Sequence, residues 1–133
     1  MKALLDTNIL IASASALEED PQLARFTGLS VSSLSWAELV KGLHTTTSLS
    51  EFKARAARLQ ALRATFGEGL AFNDSCVNAY DRILAAVTAG GTARAHVMDR
   101  LLAATALAHD LTLVTRDKDA FVGLDTLVRI EEA

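Results

Sequence analysis

Short apolar or β-branched runs, each bounded by polar residues or glycine, recur at about residues 2–5, 29–33, 70–72, 111–115 and 127–130. Runs of that length and punctuation predict β-strands. The intervals between them read as helices. One follows Asp6 through about Ala16, and a second starts at Pro21, a favoured first-turn residue with Asp20 as its cap. A third begins at Ser35. A longer one covers about 49–66 behind the capping-box pattern Ser48-x-x-Glu51, with Phe52, Ala56, Leu59 and Phe66 forming its inner face. Two more cover about 75–89, capped by Asp74 and stopped by Gly90-Gly91, and about 99–109. Strands separated by helical crossovers predict an α/β/α sandwich with a mostly parallel five-stranded sheet in the order 3-2-1-4-5. No linker, repeat or low-complexity stretch divides the chain, so residues 1–133 are expected to form a single domain.

That topology changes the meaning of four acids. Asp6 directly follows the first predicted strand and Asp117 the fourth, while Glu38 lies on the helix after the second and Asp99 at the start of the helix leading to the fourth. In an open parallel sheet, strand C-termini and the adjoining helix starts share one rim, and the crevice beside strand 1, where the order reverses, is the usual ligand site. Each acid also has an ordinary structural use. Asp6 and Asp99 could cap helices, Asp117 could anchor the turn Thr115-Arg116-Asp117-Lys118, and Ser35-Trp36-Ala37-Glu38 reads as a capping box. A cap contributes only about 1 kcal/mol. Two carboxylates about 4 Å apart repel by about 4 kcal/mol at an effective dielectric of about 20, so gathering four of them calls for a compensating cation.

The donor set names the cation. All-oxygen ligands suit Mg²⁺ or Mn²⁺, and His44, His96 and His109 lack the spacing of a zinc site. Because Mg²⁺ takes one or two carboxylates directly and keeps several waters, Asp6 and Asp99 are expected to bind the ion, with Glu38 and Asp117 acting through water or on a second ion.

Charge and composition set bounds on partners. The net charge of −3 disfavours nucleic-acid binding through the overall field, but Lys41, Lys53, Arg55, Arg58 and Arg63 face only Glu51 within one stretch. The apolar fraction of 50% and mean hydropathy of +0.25 hint at a surface covered by a partner. The single Cys76 excludes an intrachain disulfide and fits a reducing compartment. Asp6 and Asn8 interrupt the first apolar stretch, so neither a signal peptide nor a membrane span is expected, and a cytoplasmic protein is.

Four strings carry a resemblance. They are Met1-Lys2-Ala3-Leu4-Leu5-Asp6-Thr7-Asn8-Ile9-Leu10, then Ser32-Ser33-Leu34-Ser35-Trp36-Ala37-Glu38-Leu39, then Asp99-Arg100-Leu101-Leu102-Ala103-Ala104-Thr105-Ala106, and last Leu113-Val114-Thr115-Arg116-Asp117-Lys118-Asp119-Ala120-Phe121. In that order and spacing the sequence resembles a PIN-domain ribonuclease, and more narrowly a VapC-type toxin of a type II toxin–antitoxin system. The resemblance implies Asp6, Glu38, Asp99 and Asp117 as the acidic quartet, Asn8 and Thr115 as polar support, and Asp119 as a lower-ranked alternative to Asp117. It further implies a metal-dependent endoribonuclease acting on structured RNA such as transfer or ribosomal RNA. A VapB-type antitoxin, which could direct an arginine into the acidic cavity, and a homodimer are implied as well. Candidate antitoxin-facing helices lie near Ile9-Leu10-Ile11 and Trp36-Leu39-Val40. Lys53, Arg55, Arg58, Arg94 and Arg116 are candidate substrate contacts.

Two other classes fit less well. A haloacid dehalogenase-like phosphohydrolase also places Asp after its first strand but needs a second acid two residues on, where this chain has Asn8. A non-catalytic RNA-binding module of the same fold would have no use for a complete quartet.

Overall fold

The first strand to be made occupies the middle of the sheet. A computed structural model of the protein describes residues 1–88 and 96–133. In it β1 (Lys2–Leu5) pairs in parallel with β2 (Gly28–Ser30) on one side, Ala3 opposite Leu29, and with β3 (Thr112–Thr115) on the other, Leu4 opposite Leu113. β4 (Ile130–Glu132) continues the sheet beside β3, also parallel. The helices are α1 (Thr7–Ser13), α2 (Ser33–Leu43), α3 (Leu49–Phe66), α4 (Asp74–Thr88) and α5 (Val97–Ala108), with a 3₁₀ turn at Lys118–Phe121.

Alternation along the strands sorts the core into two layers. Ala3, Leu5 and Val114 pack with Ile9 and Leu10 of α1, Trp36 of α2, and Leu59 and Leu62 of α3. Leu4 and Leu113 face the other way, toward Ile83 of α4, Leu102 of α5, Phe121 and Leu124. Both faces of the sheet are thus covered, and the carboxyl ends of β1 and β3 lie side by side. Asp6 extends that pairing by one step, donating its N–H to the Val114 carbonyl at 2.9 Å.

Several expectations need correction. The sheet has four strands in the order β2-β1-β3-β4 rather than five in the order 3-2-1-4-5. The strand predicted at 70–72 is reduced to one parallel bridge between Leu70 and Ser32, held by the Leu70 N–H to the Val31 carbonyl at 2.8 Å and the Ser33 N–H to the Leu70 carbonyl at 3.0 Å. Gly69 explains the tight crossing, since a Cβ there would stand 2.6 Å from the Ser33 nitrogen. Three residues after the bridge the chain turns into α4, where Asn73 rather than Asp74 supplies the cap by accepting the Cys76 N–H, and no length is left for a ladder. The last strand falls at 130–132 and not at 127–130, because the Leu127 and Val128 N–H groups turn back to the Leu124 carbonyl.

No helix starts at Pro21. Phe26 closes one turn on Leu23, but the Thr27 N–H is drawn to the Met1 carbonyl, which feeds the chain straight into β2. The first helix stops at Ser13, short of Ala16. α5 starts at Val97, two residues before the expected Asp99, and the stop at Gly90-Gly91 lies outside the described residues. α3 matches its predicted span, with the Ser48 hydroxyl accepting the Glu51 N–H; the Glu51 carboxylate completes no box and pairs with Arg55 instead. Among the described residues no helix is long and apolar enough to cross a membrane.

Candidate active site at the carboxyl edge of the sheet

Asp6 is both cap and cluster member. Its Oδ1 accepts the Thr7 N–H at 2.7 Å, closing the first turn of α1, and its Oδ2 accepts the Thr115 hydroxyl at 2.8 Å from the end of β3. Only 5% of the residue is exposed. Burial pushes its pKa up to about 6; the Thr115 and Thr7 hydrogen bonds oppose that rise, and the charges of Asp99 and Glu38 add to it. Desolvation outweighs carboxylate repulsion here, although both penalise the same charge.

The capping-box reading of Glu38 fails. α2 starts two residues before Ser35, with the Ser32 hydroxyl as its cap accepting the Leu34 N–H at 3.0 Å. Ser35 is therefore inside the helix and fully buried, and Glu38 is released from its amide. The Glu38 carboxylate instead accepts the Thr7 hydroxyl at 2.6 Å, while Ser35 Oγ stands 3.0 Å from the same oxygen. One hydroxyl proton serves one acceptor at a time, and the charged one at the shorter distance takes it. Thr7 thus links the two acids, its N–H on Asp6 and its hydroxyl on Glu38. Sequence reasoning missed this residue, although its place directly after the acid, on the same rim, was the available signal.

Asp99 sits in the first turn of α5, half-buried. It does not cap that helix: the N-cap position belongs to His96, whose side chain makes no capping bond. Burial raises the Asp99 pKa, the His96 imidazole beside it pulls the value back down, and the charge of Asp117 raises it again. Asp117 precedes the 3₁₀ turn without capping it, and its N–H donates to Thr115 Oγ at 3.0 Å. Thr115 therefore holds both strand-end acids, one through each role of its hydroxyl. Asn8 supports the backbone, its side-chain oxygen accepting the Arg116 N–H at 3.4 Å.

The basic candidates separate. Lys53 is exposed on α3 and Arg58 half-exposed. Arg55 is tied to Glu51 and, at 2.8 Å, to the Gly42 carbonyl, which joins α3 to α2. The guanidinium of Arg116 turns to the carbonyls of Ala133 and Glu19, so it braces the C-terminal residues instead of facing the acids. Arg94 lies outside the described residues. Asp119 lines a cavity of about 330 Å³ with Lys118, Phe121 and Asp125, and none of the four acids is among its lining residues. A cavity of about 430 Å³ lies at the opposite edge of the sheet, around Met1, Lys2 and Arg129, and carries none of the four acids. Of the apolar residues expected to meet a partner, Ile9, Leu10, Trp36 and Leu39 are core, Ile11 is partly buried against that core, and Val40 is exposed.

The donor chemistry fits a hydrated divalent cation. Asp6 bears a penalty for its charge that a cation would remove, and two further carboxylates act on it. Among the described residues no three His, Cys, Asp or Glu side chains stand close enough together to form a group that could hold a metal ion.

The PIN domain family model matches residues 3–126. The chain belongs to the PIN domain family. Solved structures share the fold over nearly the whole length. FitAcB from Neisseria gonorrhoeae is 27% identical, with a TM-score of 0.80 over 96% of this chain and 95% of that one. VapBC-5 from Mycobacterium tuberculosis, a member of the VapBC family of toxin–antitoxin systems, is 23% identical, with a TM-score of 0.77 over 98% and 96%. VapBC2 from Rickettsia felis, solved bound to a DNA fragment from its promoter, is 21% identical, with a TM-score of 0.78 over 99% and 98%. No curated protein sequence matches this PIN domain. PIN domains are in general nucleases that use divalent metal ions.

Proposed function

We propose that this PIN domain is a VapC-type toxin: an endoribonuclease dependent on Mg²⁺ or Mn²⁺ that cuts structured cellular RNA and is held in check by a VapB-type antitoxin. The observation that carries the reading is the Asp6 carboxylate, buried, raised in pKa, bonded to Thr7 and Thr115, and acted on by Glu38 and Asp99. Such a group is costly to keep ionised unless a cation is bound beside it.

Asp6 and Asp99 are assigned to hold the ion directly, and Glu38 and Asp117 through water or on a second ion. The bound ion would supply Lewis acidity toward water and phosphate. Thr115 keeps Asp6 aimed at the rim, and Thr7 fixes the distance between Asp6 and Glu38. If water attacks the phosphate and the 3′ oxygen leaves, no ribose 2′-hydroxyl is needed and products carry 5′-phosphate and 3′-hydroxyl ends. Lys53 and Arg58 are assigned to the RNA backbone, because they are basic and face solvent. The relatives solved as VapBC pairs support an antitoxin partner for this chain, in keeping with a nuclease that must not act unchecked. A homodimer and a cytoplasmic location belong to the same reading.

The test is incubation of the purified chain with cellular RNA and Mn²⁺ or Mg²⁺, followed by mapping of new 5′ ends, with Asp99→Asn in parallel. Discrete cuts that vanish with chelator and in the variant are expected. Binding of RNA without cleavage in either metal would replace this reading with a non-catalytic module.

A further inference from the structure

His96 is a histidine where the backbone favours glycine or asparagine. Its φ is +54° and ψ +40°, the left-handed region, which is strained for a side chain with a Cβ. It stands at the N-cap of α5, a position whose usual occupants are chosen for a short side chain that caps the helix. His96 does not cap. Its imidazole instead reaches one turn along the helix, where Nδ1 lies 3.4 Å from Asp99 Oδ2. The ring is half exposed and the carboxylate mostly covered, so the contact is at the mouth of the site and not within the core.

We propose that His96 is a positioning residue for Asp99: its Nδ1–H donates to Oδ2, fixing the rotation of the carboxylate and directing Oδ1 toward the cation. The left-handed turn is what brings the ring back over the first turn of α5. A donor on one oxygen restrains the carboxylate about its Cβ–Cγ bond without neutralising it, which is how a group behind a ligand tunes metal affinity. The same backbone site with Asn would keep the left-handed preference and an N–H donor on a shorter arm. With Gly it would relax the strain and remove the donor.

This inference rests on the metal-dependent reading, and the experiment separates the two. Mn²⁺ titration calorimetry and melting curves are measured for the wild type, Asp99→Asn, His96→Gly and His96→Asn. His96→Gly is expected to bind Mn²⁺ about 10-fold more weakly, with an unchanged or higher metal-free melting temperature; His96→Asn should recover part of that affinity. In turnover, the loss in His96→Gly should lie in the Mn²⁺ concentration needed for half activity, with KM for RNA unmoved. Wild-type Mn²⁺ affinity in His96→Gly overturns this inference alone, whereas a wild-type chain that binds no Mn²⁺ overturns the metal reading and this inference with it. A His96→Gly chain that melts well below the wild type without metal would make the residue structural and also overturns it.

Discussion

Asp6 makes the balance between folding and function measurable at one residue. Its folded pKa of about 6 lies above the ordinary value of 3.8, so the folded state holds the proton more tightly than the unfolded one. Between about pH 4 and 6 the native form binds more protons, and stability attributable to this group falls as pH rises through that window; above it the penalty is complete. Asp6→Asn should therefore stabilise the metal-free protein at pH 7 by about 1–3 kcal/mol and much less near pH 4. Asn retains the cap. The same variant should lose cleavage, and urea denaturation at the two pH values beside an RNA cleavage assay checks both halves. Thr115→Val tests the support. It removes the buried donor to Asp6 Oδ2 and the part-buried acceptor for the Asp117 N–H, and should destabilise by about 1–3 kcal/mol. Without that donor the Asp6 pKa rises further, so the acid limb of the activity profile should move to higher pH in a pH–rate series.

At the scale of elements, the places of Asp6 and Asp117 beyond the ends of β1 and β3 were legible in the sequence, because each follows an apolar run whose type was readable. Asp6 after Leu4-Leu5 and Asp117 after Val114-Thr115 need only strand ends, which period and punctuation supply. Glu38 was harder, since Ser32, Ser33 and Ser35 all offer caps and local pattern does not choose among them. The choice is made by Leu70, which bridges to Ser32 and fixes where β2 gives way to α2, a contact between residues 38 positions apart. The absent helix at Pro21 has the same origin, because the Thr27 to Met1 bond decides that segment and propensity does not. Thr7 went unread because its importance lies in a hydroxyl bond to residue 38. Gly69→Ala should thus act through α2. With a Cβ 2.6 Å from the Ser33 nitrogen, it should cost about 2 kcal/mol or more and lower cleavage further than the stability loss explains, by shifting Glu38. Comparing its turnover at a temperature where it remains fully folded isolates that excess. On α3, replacing Lys53 and Arg58 with Ala should reduce the slope of RNA affinity against salt by roughly one to two, with Mn²⁺ affinity unchanged; a binding series across salt concentrations reads it out.

For the molecule as a whole, the sheet order determines when a site can exist. The bond between Thr115 and Asp6 joins residues 109 positions apart, and β1 finds its second neighbour only when β3 is present. Pairing of that range makes folding slow relative to helical proteins. It also sets a clock during synthesis. At about 5–20 residues per second, Leu5 and Asp6 wait on the order of ten seconds for Val114 and Thr115 to be joined to the chain. Through that interval the opening acids have no Thr115 hydroxyl, no Asp117 and no closed rim. On the proposed function, a ribosome making this chain faces no working nuclease until residue 115 has been joined, and a product interrupted before that residue should cut no RNA. The central place of β1 thus defers assembly of the rim until β3 has been made, an interval written into the connectivity.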